Sequence, residues 1–311
     1  MIWFWIGLSA AVVLVLTLLT AYICFRMAFL TRRKVQEEGE FDIPVGRIYA
    51  PYRDKVIQWV QEVRALPRQE FAITSHDGLK LYANFYEYAP GAPIELMFHG
   101  YRGTPERDLP SGVQRCFKVG RSALVVEQRA CGRSEGKVIS FGINEHKDCL
   151  AWIDFTIRHF GPDVKIILTG ISMGAATVLM AAGKELPSNV VGVLADCGYN
   201  SAKEVIQKVI RDMHLPAGVL YPFVKLGARL FGHFDLEETD AETAMKSCKV
   251  PVIFYHGEAD DFVPCYMSQK NYDACVSRKQ LVTIPGAGHG LCYAVDPEKY
   301  LETLKAFFNK V

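Results

Sequence analysis

The stretch "LTGISMGAAT" (residues 168 to 177) places one serine between two glycines, after an apolar run and before an alanine-rich one. The preceding "VKIILT" (164 to 169) has the composition of a buried strand, and the following "MGAATVLMAAGKEL" favours a helix. A serine at such a strand–turn–helix junction has a strained backbone, so its neighbours two residues away must be small. Gly170 and Gly174 meet that requirement. The motif therefore predicts that Ser172 is a nucleophile, and the alternative is a tight turn with a helix-capping serine.

Short apolar runs alternate with helical patterns from about Gln69 onward. Two strand patterns flank the turn at Asp77-Gly78, and the others lie at 94–98, 122–128, 164–169, 190–195, 251–256 and 280–285. Helical patterns lie at 106–118, 143–160, 173–185, 265–277 and 297–309. This alternation predicts a mostly parallel sheet with helices on both faces. Reactive groups of such sheets lie in loops at the carboxyl ends of the strands, which is where Ser172 stands.

A serine hydroxyl is a weak nucleophile and needs a base, together with a group that orients the base. His289 stands in the glycine-rich "IPGAGHGLCY" after the last predicted strand, and Asp260 stands in "YHGEADDFVP" after the strand before it. The chain order Ser, Asp, His is the one expected for this type of turn. Asp261 and Asp196 are alternatives for the acid. We favour Asp260 because a position three residues after Gly257 lets its carboxylate turn back toward the histidine.

Acyl transfer also requires N–H donors for the oxyanion. "LMFHGYRGTPERD" places His99, Gly100 and Tyr101 directly after a buried strand, where the backbone N–H of Tyr101 can act together with that of Met173. A plain turn is the alternative at His-Gly. We expect His99 and His256, which each precede a glycine at a strand end, to orient loops.

Five segments, "FHGYRG", "EQRACGRSEG", "GISMG", "HGEADDFVP" and "GAGHG", together resemble the α/β-hydrolase superfamily, particularly membrane-anchored bacterial esterases of the cinnamoyl-esterase-like type. The resemblance covers roughly residues 69 to 311. It implies an α/β-hydrolase fold with an eight-stranded sheet whose second strand is antiparallel. It also implies a triad of Ser172, His289 and Asp260, and no cofactor or metal.

One of these segments departs from the family pattern D-x-R-G-x-G-x-S. Glu127 stands where aspartate is usual and Ala130-Cys131 where Gly-His is common, so Cys131 is a candidate to line the pocket. The family also implies a helical cap between the sixth and seventh strands, and residues 201–248 are suitably long and apolar for it. We expect Leu, Val and Phe side chains of this insertion to form an acyl or aromatic pocket, although packing against the sheet explains many of them equally well.

The N-terminus differs from the rest of the chain, because residues 2 to 25 carry no charge. As a helix they would extend about 36 Å, compared with about 30 Å for the apolar core of a bilayer. The basic residues follow this stretch, which favours an uncleaved single-pass membrane anchor over a signal peptide and places the rest of the chain in the cytoplasm. These basic residues are Arg26, Arg32, Arg33 and Lys34. A buried helix of a soluble protein is the alternative.

The segment "APYRDKVIQWVQEVRALP" that follows predicts an amphipathic helix, because its apolar residues recur at helical spacing. These residues are Tyr52, Val56, Trp59, Val60 and Val63. We expect the stripe to pack against the following domain, with the membrane surface as the alternative. The predicted division is a transmembrane anchor (1–30), a juxtamembrane connector (31–68), and a hydrolase domain (69–311) with its cap at about 201–248.

Composition narrows the possible partners. A net charge of +1 without a basic block argues against nucleic acid. The nine cysteines are scattered without metal-ligand spacing, and we interpret most of them as small buried side chains in a reducing compartment. These features together predict a membrane-attached serine hydrolase that cleaves a small carboxylic ester or a lipid through an acyl-enzyme, and they leave the oligomeric state open.

Three other functions compete with this interpretation. A lipase or lysophospholipase would use the same triad on lipid from the adjacent bilayer. A peptidase of the prolyl-oligopeptidase type shares the triad but normally adds a large propeller domain. A non-catalytic binding module would be expected to have lost the serine, the acid or the histidine.

Overall fold

The computed structural model describes residues 1–31 and 40–309. An eight-stranded sheet forms its centre, in the order β1-β2-β4-β3-β5-β6-β7-β8. The strands are β1 (Gln69–Thr74), β2 (Lys80–Tyr86), β3 (Ile94–Phe98), β4 (Ser122–Glu127), β5 (Ile166–Ile171), β6 (Val190–Asp196), β7 (Val252–Gly257) and β8 (Lys279–Ile284). Strand β2 is antiparallel to β1 and β4, and the pairs from β4 to β8 are parallel. The predicted α/β-hydrolase fold is confirmed.

Helices connect the strands and cover both faces of the sheet. They are α1 (Ile2–Ala28), α2 (Arg53–Ala65), α3 (Pro105–Asp108), α4 (Pro110–Lys118), α5 (Glu145–Phe160), α6 (Met173–Ala182), α7 (Ala202–Asp212), α8 (Ala217–Gly232), α9 (Ala241–Met245), α10 (Tyr266–Ala274), α11 (Cys292–Val295) and α12 (Pro297–Phe308). One predicted helix, 106–118, is divided at Leu109, because Pro110 has no N–H group to donate and begins a new helix.

The insertion between β6 and β7 contains α7, α8 and α9, and we call residues 201–248 the cap. Helix α8 packs against the last part of α1, where Ala21 and Phe25 are buried, and Phe29 directly after α1 is buried too. The two backbones approach closely, since a Cβ atom at Gly227 of α8 would lie 2.4 Å from the carbonyl oxygen of Ala21. The first part of α1 is exposed on all sides.

Helix α1 is long and apolar enough to cross a membrane by length and composition, a property that a signal sequence shares. The basic residues that we expect to orient it, apart from Arg26 in its last turn, are Arg32, Arg33 and Lys34. These three lie outside the described residues. Membrane spanning and orientation therefore stay predictions.

The segment after the undescribed residues folds back onto the domain, and we call residues 40–66 the connector. Its apolar stripe packs as expected against the domain: Trp59 lies 5.6 Å from Tyr293 of α11 between ring centroids, and Val60 is buried. Val63 packs against a cluster that includes Val113 of α4. The connector thereby lies beside the carboxyl ends of the strands.

Candidate active site

Ser172 occupies the turn between β5 and α6. Its φ of 56° lies in the left-handed region, which residues with a side chain rarely adopt. A Cβ atom at Gly170 would lie 2.1 Å from Gly174 O, and one at Gly174 would lie 2.1 Å from Phe98 O, so both positions require glycine. The side chain of Ser172 makes no capping hydrogen bond to α6, and its N–H donates to Asp196 O at 2.8 Å.

Asp260 and His289 are in direct contact at the ends of β7 and β8. The Nδ1 atom of His289 lies 2.7 Å from Asp260 Oδ2, and the other carboxylate oxygen accepts N–H bonds from Phe262 (3.0 Å) and Val263 (2.8 Å). Burial alone would raise the pKa of Asp260, but hydrogen bonds from His256 and His289 lower it to about 2. The carboxylate is therefore ionised and suited to orient the imidazole.

The two alternative acids lie elsewhere. Asp261 is exposed, and its carbonyl group, not its carboxylate, is bonded to Lys208. Asp196 accepts a hydrogen bond from Tyr300 OH at 3.1 Å, while its Oδ1 is buried without a partner among the described residues. Burial raises the pKa of Asp196. The structure thus brings Asp260, and neither alternative, to His289.

The second ring nitrogen of His289 faces a cysteine. Its Nε2 lies 4.0 Å from the Sγ atom of Cys197, a buried residue directly after β6 with a φ of 46°. Within the described residues there is no hydrogen bond between Ser172 Oγ and His289. Both side chains line the same pocket, and the corresponding bond of related enzymes is often loose when no substrate is bound.

Cys197, Asp260 and His289 also hold three potential metal-ligand atoms within 4.8 Å of one another. A metal-bound cysteine is a thiolate. Burial, reinforced by the charges of Asp196 and Asp260, raises the pKa of Cys197 well above its usual value, so this side chain is a thiol. Since Asp260 already engages Nδ1 of the histidine, the group fits an acid–base pair better than a metal site.

A second cluster of such groups, formed by His76, Asp77 and Asp148, lies outside the pocket. The guanidinium group of Arg129 contacts both carboxylates at 2.6 to 3.1 Å. An internal cation therefore already occupies the place that a metal would take.

Residues 99–104, which follow β3, form what we call the oxyanion loop. His99 orients this loop as expected, because its Nε2 accepts the N–H of Gln128 at 3.1 Å. The N–H of Gly100 donates to Asp108 Oδ2 at 2.8 Å and is not available to a substrate. The N–H groups of Tyr101 and Met173 donate to no other group in the described part of the chain.

The last turn of α1 contacts the oxyanion loop directly. The hydroxyl group of Tyr101 donates to Ala28 O at 2.7 Å, and the guanidinium group of Arg102 donates to Met27 O and Leu30 O at 2.7 and 2.9 Å. Arg102 has a φ of 51° and is itself strained. These bonds satisfy carbonyl groups at the helix C-terminus and hold the loop in this conformation.

The pocket above Ser172 has a volume of about 1080 Å³. The connector lines it with residues from Glu40 to Tyr49 and with Trp59, and Phe262 and Leu291 line it as well. In the part of the chain that the structure describes, no residue of 201–248 lines this pocket. The expectation that the cap forms the pocket was wrong, because its apolar side chains pack against the sheet and against α1. Cys131 is buried but is not a lining residue either.

Polar bonds hold the connector in this place. Arg64 forms a two-bond ion pair with Glu106, at 2.7 and 2.8 Å, and also donates to Glu40 O. Asp42 accepts a hydrogen bond from Thr104 in the oxyanion loop at 2.6 Å. The pocket wall and the oxyanion loop are thus tied together.

Comparisons with known proteins identify the family of this chain. A family model for the alpha/beta hydrolase fold matches residues 96–229. The bifunctional esterase/perhydrolase DCH of Acinetobacter calcoaceticus is 31% identical over 262 residues, which cover 70% of this chain and 92% of the relative. The chain belongs to the α/β-hydrolase family.

A second relative and a solved structure are also similar to this α/β hydrolase. The protein YqkD of Bacillus subtilis, whose name states no function, is 25% identical over 194 residues, 62% of this chain and 64% of its own length. The chain thus spans less than two thirds of that relative. The esterase Pf2001 of Pyrococcus furiosus has a similar structure, with a TM-score of 0.66 and 21% identity over 86% of this chain and 96% of its own.

Sequence reasoning missed two features of this α/β hydrolase. Cys197 was grouped with the other buried cysteines, although its position at the carboxyl end of β6 is a signal that could have identified it. The connector was expected to pack on the domain but not to line the pocket. Nothing in its local pattern indicates which part of the domain it covers.

Proposed function

We propose that this α/β hydrolase is a serine esterase that cleaves carboxylic esters through an acyl-enzyme. The observation that carries the proposal is the 2.7 Å contact between Asp260 and His289, in one pocket with the strained Ser172. The oriented imidazole supplies the base that a serine nucleophile requires. The esterase names of a relative and of a structural neighbour support the same reaction class.

The reaction follows from these positions. Ser172 Oγ attacks the ester carbonyl carbon while His289 Nε2 takes the hydroxyl proton, and Asp260 stabilises the imidazolium ion that forms. The N–H groups of Tyr101 and Met173 bind the oxyanion. His289 then returns the proton to the leaving alcohol, and water attacks the acyl-enzyme by the same route to release the acid.

The imidazole must change its contact for this step. Its Nε2 atom lies against Cys197 Sγ, and Ser172 lies in the same pocket. In the proposed reaction, rotation of the ring about the Asp260 hydrogen bond brings Nε2 to Ser172 when substrate fills the pocket. The thiol of Cys197 is a weak partner that releases the ring easily.

A specific observation favours an ester from a membrane as a second candidate substrate. Tyr101 lines the pocket and also donates its hydroxyl group to Ala28 O at the end of α1. The pocket therefore lies next to the point where the candidate membrane helix ends. In this form of the proposal the protein is a single-pass membrane esterase, or a lipase or lysophospholipase, with its domain in the cytoplasm.

The test of the reaction is labelling with a fluorophosphonate, followed by hydrolysis of p-nitrophenyl esters of graded chain length. Ser172→Ala is expected to abolish both labelling and hydrolysis while leaving the thermal unfolding midpoint unchanged, because it removes only the nucleophile. Turnover by this variant equal to that of the unmodified protein would contradict the mechanism. A maximum at long acyl chains would favour the lipid substrate over a short ester.

The side of the membrane is tested with a cysteine introduced at the exposed Val276. An impermeant thiol reagent applied to intact cells should leave Val276→Cys unmodified and should modify it after lysis. Modification in intact cells would place the domain outside the cytoplasm.

A further inference from the structure

The docked part of α1 lies inside the apolar stretch that would cross the bilayer. Residues 2–16 are exposed on all sides and extend about 22 Å, which is less than the roughly 30 Å of the hydrocarbon core. Spanning therefore requires residues from Thr17 onward. The side chains of Ala21 and Phe25 in that part already contact the domain. Tilting the helix would only increase the length required.

Helix α8 crosses α1 at Gly227, and the two segments advance in the same general direction beyond the crossing. Ala21 lies against Gly227, Phe25 against Phe231 (5.8 Å between ring centroids), and Phe29 against Phe234 (5.3 Å). Residue numbers thus increase together along both segments. The N-terminal end of α8 consequently points toward the N-terminus of α1, which is the direction of the bilayer.

The chain around that end of α8 is apolar and unusually exposed. Residues 213–224, "MHLPAGVLYPFV", contain no Asp, Glu, Lys or Arg, although Asp212 and Lys225 flank them directly. Met213, Leu215 and Val219 are 48%, 42% and 60% exposed. Exposed apolar groups clustered in one short stretch mark a surface that another apolar phase covers.

The charged groups around this stretch limit the depth to which it can insert into a bilayer. Asp212 pairs with Lys208 at 2.5 Å, Lys225 pairs with Glu237, and Arg229 pairs with Asp235 at 2.6 Å. These pairs belong at the headgroup level, where water and phosphates solvate them. The uncharged residues between them fit an insertion of about 5 to 10 Å, to the boundary of headgroups and acyl chains.

We propose that residues 213–219 of the cap insert into the bilayer leaflet next to α1, so that the enzyme holds the membrane at two places. The partner is the lipid of that leaflet. The proposal rests on the membrane anchoring stated above. With both α1 and the cap in contact with lipid, the cap is fixed relative to the membrane.

The test uses the full-length protein in phosphatidylcholine and phosphatidylglycerol vesicles that contain a radiolabelled phospholipid. Benzoylphenylalanine replaces one residue at a time: Val219 in the cap, Leu14 in α1, and Val276, which is 68% exposed but lies outside the cap, as the matched control. Irradiation should give lipid adducts at Val219 and Leu14 and at least tenfold fewer at Val276.

Other outcomes overturn the proposal in distinguishable ways. If Leu14 gives lipid adducts but Val219 gives no more than the control Val276, α1 enters the bilayer while the cap stays in water. If the yield of lipid adducts at Leu14 and Val219 is no higher than at Val276, α1 itself does not enter the bilayer. Fluorophosphonate labelling of each variant reports the esterase mechanism separately, because none of the three residues lines the pocket.

Discussion

The connector and the cap are two segments added to the same sheet, and their roles differ from what their sequences suggest. The cap is the longer insertion beside the site, yet its helix α8 packs against α1 and its residues do not reach the pocket described here. The connector is shorter and has a similar share of apolar residues, yet it forms one wall above Ser172. An apolar segment near a site is therefore not necessarily part of that site.

The difference has a simple physical origin. The apolar face of α8 is covered by α1, and the two helices pack closely at Gly227. The same face is therefore not available to line the pocket. The connector carries the ion pair of Arg64 with Glu106 and the bond from Thr104 to Asp42, which attach it to the loops around the site. Polar contacts thus decided which segment forms the wall.

The largest expected effect is a loss of kcat on substitution of Asp260, a residue outside both segments, with which the smaller effects in the connector and the cap can be compared. Asp260→Asn should lower kcat by about 10³- to 10⁴-fold, because a wrongly oriented imidazole cannot take the serine proton. Asp261→Asn should change kcat less than threefold, although it removes the same charge from the next residue. Steady-state kinetics on p-nitrophenyl acetate measure both. Equal losses, or a larger loss from Asp196→Asn, would require another acid.

The next effect tests whether the cap is held by α1. Gly227→Ala should lower the free energy of unfolding by about 1 to 3 kcal/mol, because its Cβ would lie 2.4 Å from Ala21 O. Gly218→Ala in the same helix meets no atom within 4 Å and should be neutral or stabilising by up to about 1 kcal/mol. Thermal unfolding in detergent micelles compares the two. Similar midpoints would argue that α1 and α8 do not pack in solution.

The next effect, of similar size, is the contribution of ionised carboxylates to the free energy of unfolding, which differs between the buried Asp260 and the exposed carboxylates of the cap. The pKa of Asp260 is lowered from 3.8 to about 2, so its ionised form stabilises the fold above pH 4, and this contribution of about 2 kcal/mol is lost as the pH falls through 2. Arg229 lowers the pKa of Asp235 in the cap, but that pair is exposed and contributes little.

Denaturant unfolding between pH 4 and pH 2 measures this difference. The Asp260→Asn variant should lose about 2 kcal/mol less than the unmodified protein over that range. Asp235→Asn should follow the unmodified protein. A larger change for Asp235→Asn would mean that the cap, and not the core, determines the acid stability.

The smallest effect addresses the pocket wall. Ile48→Ala in the connector should lower kcat/KM about tenfold for p-nitrophenyl esters whose acyl chain reaches the wall, since it removes apolar contact area, and should leave the acetyl ester unchanged. Leu230→Ala in the cap should leave the whole series unchanged. A chain-length effect of Leu230→Ala would mean that the cap contacts substrate after all.

Much of the candidate site could be predicted because its determinants are local. Two glycines flanking a serine between a strand and a helix specify the strained turn at Ser172, and the order of Asp260 and His289 after successive strands follows from the parallel sheet. Cys197 was not singled out, although it too follows a strand. Its proximity to His289 depends on how two loops 92 residues apart meet.

The sequence by itself determined the alternation of strands and helices, the turn at Ser172 and the apolar length of α1, because backbone sterics and the periodicity of apolar residues act over a few positions. Only the tertiary structure decided that α8 packs against α1, that the C-terminus of that helix holds Tyr101 and Arg102, and that the connector forms the wall. Those contacts join segments about 40 to 200 residues apart, and many apolar stripes could have covered each other equally well. The close approach at Gly227 and a few directional hydrogen bonds favour the observed arrangement over the others.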